Sequence, residues 1–307
     1  MTTLTNEWVL ELVTTYYGVT VDEVTFLGTS DSTAYQIVSG SFNYLLKMHN
    51  VQSQAREVQS ELEWLRALDL ETDLRVQRPV QNLAGKLFTE QDGVIYTLQH
   101  WVAGQHVETL TEWHLERLSN LLLSLHMHAM RWEPPGGFTR PVYSVDQVQS
   151  LMADLASSSL MSAEEEKLMT AASECITKIV GKHPVSRENW GLIHSDMHDG
   201  NYLLHEDRLH AIDFSCCGFG YYLFDLAEPL LHMMPDDRKH FVCSYAEKRD
   251  VQIDVELLEA FYLWQVLRNF TFLTKNPEEH DGLRQSIPRV CERFVAPFLA
   301  GERFLGI

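Results

Sequence analysis

The sequence predicts an α+β chain, with a small strand-rich first part and a larger helical second part, on three observations. Residues 24–48 and 87–98 carry apolar residues in short strand-like runs bounded by Gly, Ser and Asp. From about residue 111 onward the apolar spacing becomes that of helices. The two patterns are segregated along the chain, which excludes the regular βαβ alternation of a doubly wound sheet. The boundary falls near residue 100, giving a first domain at 1–100 and a second at 101–307.

Each element follows from local spacing. Thr5 reads as an N-cap for a helix carrying Trp8, Val9, Leu12, Val13 and Tyr16, with Gly18 as its stop. Val24–Leu27, Ala34–Val38 and Tyr44–Met48 read as strands joined by polar turns. Residues 53–69 return to helical spacing through Val58, Leu62, Leu65 and Leu68. Leu87–Thr89 and Val94–Leu98 form a predicted hairpin around Gln91-Asp92-Gly93. In the helical part, Tyr202–Leu204 and Leu209–Phe214 are apolar runs flanking His205-Glu206-Asp207, a second hairpin, and Pro134-Pro135-Gly136-Gly137 is a loop.

Composition narrows the function. The 24 basic and 43 acidic residues leave a formal charge of −19, divided as −7 over residues 1–100 and −12 over the rest. An acidic surface of this kind repels phosphate backbones, so neither nucleic acid nor an anionic membrane is expected as a partner, and a cationic ligand is tolerated better. The five cysteines, Cys175, Cys216, Cys217, Cys243 and Cys291, form no CxxC pair, which suits buried thiols in a reducing cytoplasm. The most apolar stretch, Leu115–Met130, is interrupted by Arg117, Asn120, Ser124, His126 and His128 and does not read as a membrane span.

The chemistry concentrates between residues 192 and 227. His194, Asp196 and Asn201 lie in a polar loop between apolar flanks, and Asp213 ends the apolar run that follows. An amide and carboxylates from these positions are hard oxygen ligands, the kind magnesium prefers alongside water and substrate phosphates. His194-x-Asp196-x4-Asn201, then Ile212-Asp213-Phe214, then Gly218-Phe-Gly-x4-Asp225-Leu-Ala227 resemble the catalytic loop and metal motif of the aminoglycoside phosphotransferase and choline kinase-like family.

The resemblance implies a two-lobed protein-kinase-like fold, with a small antiparallel-sheet lobe carrying one helix and a larger, mainly helical lobe. It also implies a strand lysine on the nucleotide phosphates and a helix glutamate that holds it. Lys47 breaks the apolar run Tyr44–Met48, and Glu61 shares a helix face with Val58, Leu65 and Leu68, so Lys47–Glu61 is the expected pair. The turn Gly28–Thr33 would cover the phosphates, with Ser30 and Ser32 as hydroxyl donors, although it lacks G-x-G-x-x-G. By the same resemblance Gln99, His100 and Trp101 are candidates for meeting the adenine, and Trp101 reads equally well as a packing residue.

The implied roles are those of phosphoryl transfer. Asp196 orients and deprotonates an acceptor hydroxyl, Asn201 and Asp213 hold magnesium, and His194 and Asp225 are structural. The donor is ATP, with GTP as the alternative, and the acceptor is a neutral or cationic small molecule, an aminoglycoside or amino-alcohol first. Tyr262, Trp264, Gln265, Arg268 and Asn269 mix aromatic and polar groups on a late helix that could border the acceptor, with Trp264 the one best suited to core packing. Two other readings compete: a protein Ser/Thr kinase, disfavoured by the short stretch from Phe214 to Asp225, and a nucleotide-binding regulator without turnover. A zinc hydrolase around His194, His198, His126 and His128 lacks a converging ligand set.

Overall fold

The computed structural model describes residues 5–29, 32–49 and 54–307. The first elements are α1 (Asn6–Tyr17), β1 (Glu23–Thr29), β2 (Ser32–Ser39), β3 (Phe42–His49), α2 (Ala55–Glu71), β4 (Thr89–Gln91) and β5 (Val94–His100). Then come α3 (Glu112–Arg131), α4 (Asp146–Ser157), α5 (Ala163–Val180), β6 (Trp190–Ile193), β7 (Tyr202–His205), β8 (Arg208–Ala211) and β9 (Gly218–Tyr221). The chain closes with α6 (Tyr222–Leu230), α7 (Pro235–Arg249), α8 (Val255–Leu273), α9 (His280–Val290) and α10 (Ala296–Leu299). The mixed α+β class is the one the patterning predicts.

Two compact units result. The first takes in residues up to Val107 together with 131–141 and 200–217, and the second holds 108–130, 142–199 and 218–307. In the first, five antiparallel strands run in the order β1-β2-β3-β5-β4. The pleat sorts its side chains: Tyr35, Leu46 and Leu98 stand opposite one another on one face, and Ala34, Lys47 and Thr97 on the other. The first face packs against Val9, Leu12, Val13 and Tyr17 of α1. That helix begins where Thr5 accepts from the Trp8 N–H and stops at Gly18, whose φ of 67° glycine adopts at least cost.

The hairpins differ from expectation in register. Strand β4 is Thr89–Gln91 rather than Leu87–Thr89, because the turn is the two-residue Asp92-Gly93, both at positive φ, which suits the twist of the flanking strands. Strand β8 ends at Ala211 rather than Phe214, because Asp213 takes a left-handed conformation and starts a 3-10 turn over Phe214–Cys216. The β6–β9 pair of the second unit was not anticipated. Its glycines explain why: a Cβ on Gly191 would lie 2.3 Å from the Tyr222 hydroxyl, and one on Gly220 2.4 Å from Ile193 Cδ1. Close packing demands residues that weaken the strand signal.

The second unit is mainly helical, built on α8, which is buried nearly all round and packs with α4, α5 and α6. Trp264 sits at its centre against Phe224 and Phe261. Among the described residues no helix is long and apolar enough to cross a membrane.

Candidate functional site

Lys47 is the natural starting point of the first unit's polar cluster. The strand alternation sets Ser32, Lys47, His49, Thr97 and Gln99 on one face of the sheet. Lys47 Nζ reaches Asp213 Oδ1 at 2.8 Å, although 166 positions separate them. Burial works against the Lys47 charge, but Asp213 and then Glu61 outweigh it and raise its pKa. Burial likewise resists ionisation of Asp213, and Lys47 overrides it, holding this carboxyl well below the usual range. Burial together with Lys47 lowers the pKa of His49 to about 3, so its imidazole is neutral and bonds Thr97 Oγ1 at 3.1 Å.

Two residues absent from the sequence reading shape this cluster. Gln77 Oε1 accepts the Asp213 N–H at 2.8 Å, fixing the left-handed residue. Arg140 is buried and donates to the carbonyls of Phe214, Ser215 and Cys217, and to Glu57 O at 3.1 Å. The same guanidinium lies 3.6 Å from Glu61 Oε2, so the buried Glu61 serves two cations, Arg140 by contact and Lys47 by Coulomb attraction. Nothing periodic marks Arg140, which follows the Pro134–Gly137 loop, and its role emerges only from tertiary contact.

Asn201 is buried and its carbonyl accepts the Ile212 N–H at 2.9 Å, which sets it beside the segment leading to Asp213. An amide oxygen donor and an ionised carboxylate fit a hard divalent cation. Among the described residues no group of three or more His, Cys, Asp or Glu is placed to hold a metal.

The three adenine candidates diverge. His100 lies on the opposite sheet face, its ring against Tyr44 and its Nε2 at 3.0 Å from Arg78. The backbone N–H groups of His100 and Trp101 are already bonded, to Arg78 O and Asn43 O. Gln99 is fully buried, and neither its amide nitrogen nor its amide oxygen has a partner among the described residues. Ser30 lies outside the described residues; Ser32 opens β2 opposite His49.

The second unit presents the Asp196 loop. Asp225 Oδ1 accepts the Ser195 N–H at 2.6 Å and Oδ2 accepts the His194 N–H at 3.0 Å. Oδ2 also meets His126 Nε2 at 3.0 Å, and His126 Nδ1 meets the Tyr245 hydroxyl at 2.7 Å. Burial opposes the Asp225 charge, yet the His126 bond and these donors keep its pKa low, while burial lowers that of His126. The pair is therefore a carboxylate and a neutral imidazole, with Nε2–H donating and Nδ1 accepting from Tyr245. Arg268 Nη1 donates to Ser195 O at 2.8 Å, and Ser195 Oγ donates to the Tyr143 hydroxyl oxygen at 2.7 Å. Ser195 itself is held at φ 64°. These bonds fix the loop from which Asp196, one-third exposed, projects.

The comparisons with known proteins extend over most of the chain. The model of the phosphotransferase enzyme family, APH, matches residues 23–258. The amicoumacin kinase of Bacillus subtilis (strain 168) is 24% identical over 272 residues, covering 80% of this chain and 78% of that protein. Among solved structures, a microcompartment-associated aminopropanol kinase aligns with TM-score 0.82 at 22% identity, over 97% of this chain and 99% of its own. The amicoumacin kinase hAmiN in complex with AMP-PNP, Ca2+ and Ami aligns with TM-score 0.77 at 16% identity, over 98% and 95%. These likenesses place the fold among the kinase-like phosphotransferases.

Proposed function

The chain belongs to the phosphotransferase enzyme family, and from that premise we propose that it moves the γ-phosphate of ATP to the hydroxyl of a small amino-alcohol. The observation that carries this reading is the Lys47–Asp213 contact at 2.8 Å, which joins a strand lysine to the aspartate of the Ile-Asp-Phe motif. A lysine held charged in a buried setting is suited to the α- and β-phosphates. Glu61 fixes it from the helix side, and Arg140 fixes Glu61. Asn201 and Asp213 would hold a divalent cation, magnesium in our reading, whose charge would offset that of the phosphates. Ser30 and Ser32 serve the phosphates. Gln99, whose amide is unspent, serves the base more directly than His100 or Trp101, and GTP is the alternative donor.

Asp196 receives the proton of the acceptor hydroxyl. Its loop is pinned by Asp225 and Arg268, so the carboxylate meets the acceptor without first being ordered. The turn and short strand between Asp213 and α6 leave no extended activation segment, which favours a small acceptor over a protein. The amino-alcohol is favoured by the acidic surface and by the aminopropanol kinase among the structural relatives. We place this activity in the cytoplasm.

The test is ADP release from Mg-ATP across a panel of amino-alcohols, amino sugars and a peptide library. Turnover with a small alcohol is expected. Asp196→Asn is expected to lower kcat by about 100- to 10,000-fold, the range of general acid–base contributions, with an unchanged melting temperature. Equal turnover in the variant would remove Asp196 from the role of base.

A further inference from the structure

A second carboxylate accompanies the Asp196 loop and is absorbed by none of the roles above. Asp225 and Glu228 stand three residues apart on α6 and therefore share a helix face. Asp225 spends its side chain on the N–H groups of His194 and Ser195, so that face looks onto the loop, and Glu228 lies one turn further along it. Glu228 is only 6% exposed, and no hydrogen bond reaches its carboxyl among the described residues.

The charges facing it do not balance. Asp196 on the loop and Asp225 on the helix repel it; Arg268 of α8 attracts it, but that guanidinium already donates to Ser195 O and Gln265 Oε1, each at 2.8 Å. Burial first, then these two carboxylates, raise the Glu228 pKa to about 8 against the pull of Arg268. The neighbouring His232 adds no fixed charge, since burial lowers its pKa, and His198, 6.3 Å from it ring to ring, lies between Asp196 and Asp199. A carboxyl this deeply buried, with no hydrogen bond and with Asp196 and Asp225 adding to its cost, is unfavourable for the chain alone. A cation delivered with the substrate removes that cost.

We infer that Glu228 is the specificity-determining carboxylate that receives the ammonium group of the acceptor, while Asp196 takes its hydroxyl. This deepens the phosphotransferase reading and rests on it. Glu228 forms a charge-assisted hydrogen bond to the ammonium, and the amine anchors the acceptor so that its hydroxyl is presented to Asp196. No bond of Glu228 is made or broken in the transfer.

The experiment compares 1-amino-2-propanol with 1,2-propanediol, which replaces the ammonium by a hydroxyl, in wild type and in Glu228→Gln, by ADP release at pH 8. Wild type is expected to favour the amine in kcat/KM by about 10- to 100-fold, the strength of a hydrogen bond to a charged group, and the variant to bring that ratio close to one. Partial recovery of the ratio in Glu228→Asp would support a charge contact rather than packing. A wild-type ratio near one overturns the inference whether or not the variant folds, and so does a ratio that survives in folded Glu228→Gln. Equal use of both alcohols removes Glu228 alone and leaves the phosphotransferase reading intact; ADP release with no alcohol in the wider panel sinks both.

Discussion

Asp213 and Glu228 are carboxyls that burial resists ionising, yet they settle on opposite sides of neutrality. At Asp213 a lysine sits within 2.8 Å and the carboxyl is held ionised. At Glu228 burial, joined by the charges of Asp196 and Asp225, outweighs the pull of Arg268, and the pKa rises to about 8. The difference teaches that burial alone assigns no role to an acid: the sign of its neighbours decides whether it is complete within the chain or awaits a ligand. The Lys47 cluster is complete in charge before any substrate arrives. The Asp196 loop is pinned by hydrogen bonds but short of one positive charge.

Three substitutions probe this contrast. The largest effect is expected from Lys47→Met, which leaves Asp213 and Glu61 without their shared cation. A loss of roughly 2–3 kcal/mol is expected in urea unfolding, less than for a fully buried pair because 37% of the Asp213 side chain is exposed. The melting-temperature rise caused by Mg-ATP should disappear with it. A variant as stable as wild type would mean the cluster is not self-complete.

Asp225→Asn comes next. An amide can accept from only one side, so at least one of the His194 and Ser195 N–H groups and the His126 contact is compromised. About 1–2 kcal/mol of stability should be lost, and kcat should fall more than the nucleotide KM changes, because the loop rather than the phosphate cluster is loosened. A change confined to nucleotide KM would contradict the division drawn between the two regions.

The gentlest effect is a slope with pH. Glu228 has its folded pKa raised to about 8 from an ordinary 4.5, so between those values the native chain holds a proton that the unfolded chain has released. Stability contributed by that proton is present below the ordinary value and is lost as pH rises toward 8, by an amount on the order of 1 kcal/mol. Unfolding of wild type and Glu228→Gln from pH 5 to 8 should show this slope in the first and a flatter profile in the second. Parallel profiles would return Glu228 to the ordinary acids.

Much of this was legible in residue order, for definable reasons. Lys47 announces itself because a charge in an apolar strand demands a partner, and Asp196, Asn201 and Asp213 because their short, local spacing resembles the family motif. The strands of the first unit declare themselves through polar and apolar alternation. Glu228 was illegible because a glutamate after Leu-Ala reads as any helix acid, and only burial and the acids around it give it meaning. Arg140 and Gln77 act across long sequence separations from irregular segments that have no period to read. The β6–β9 pair was hidden by the glycines that its packing requires.

The Arg140 clamp has a consequence for control. Its donors hold the carbonyls of Phe214, Ser215 and Cys217 directly behind Asp213, and the geometry is set by the chain's own covalent sequence. A stretch held this firmly by a donor of its own chain is fixed in place without an added group to order it.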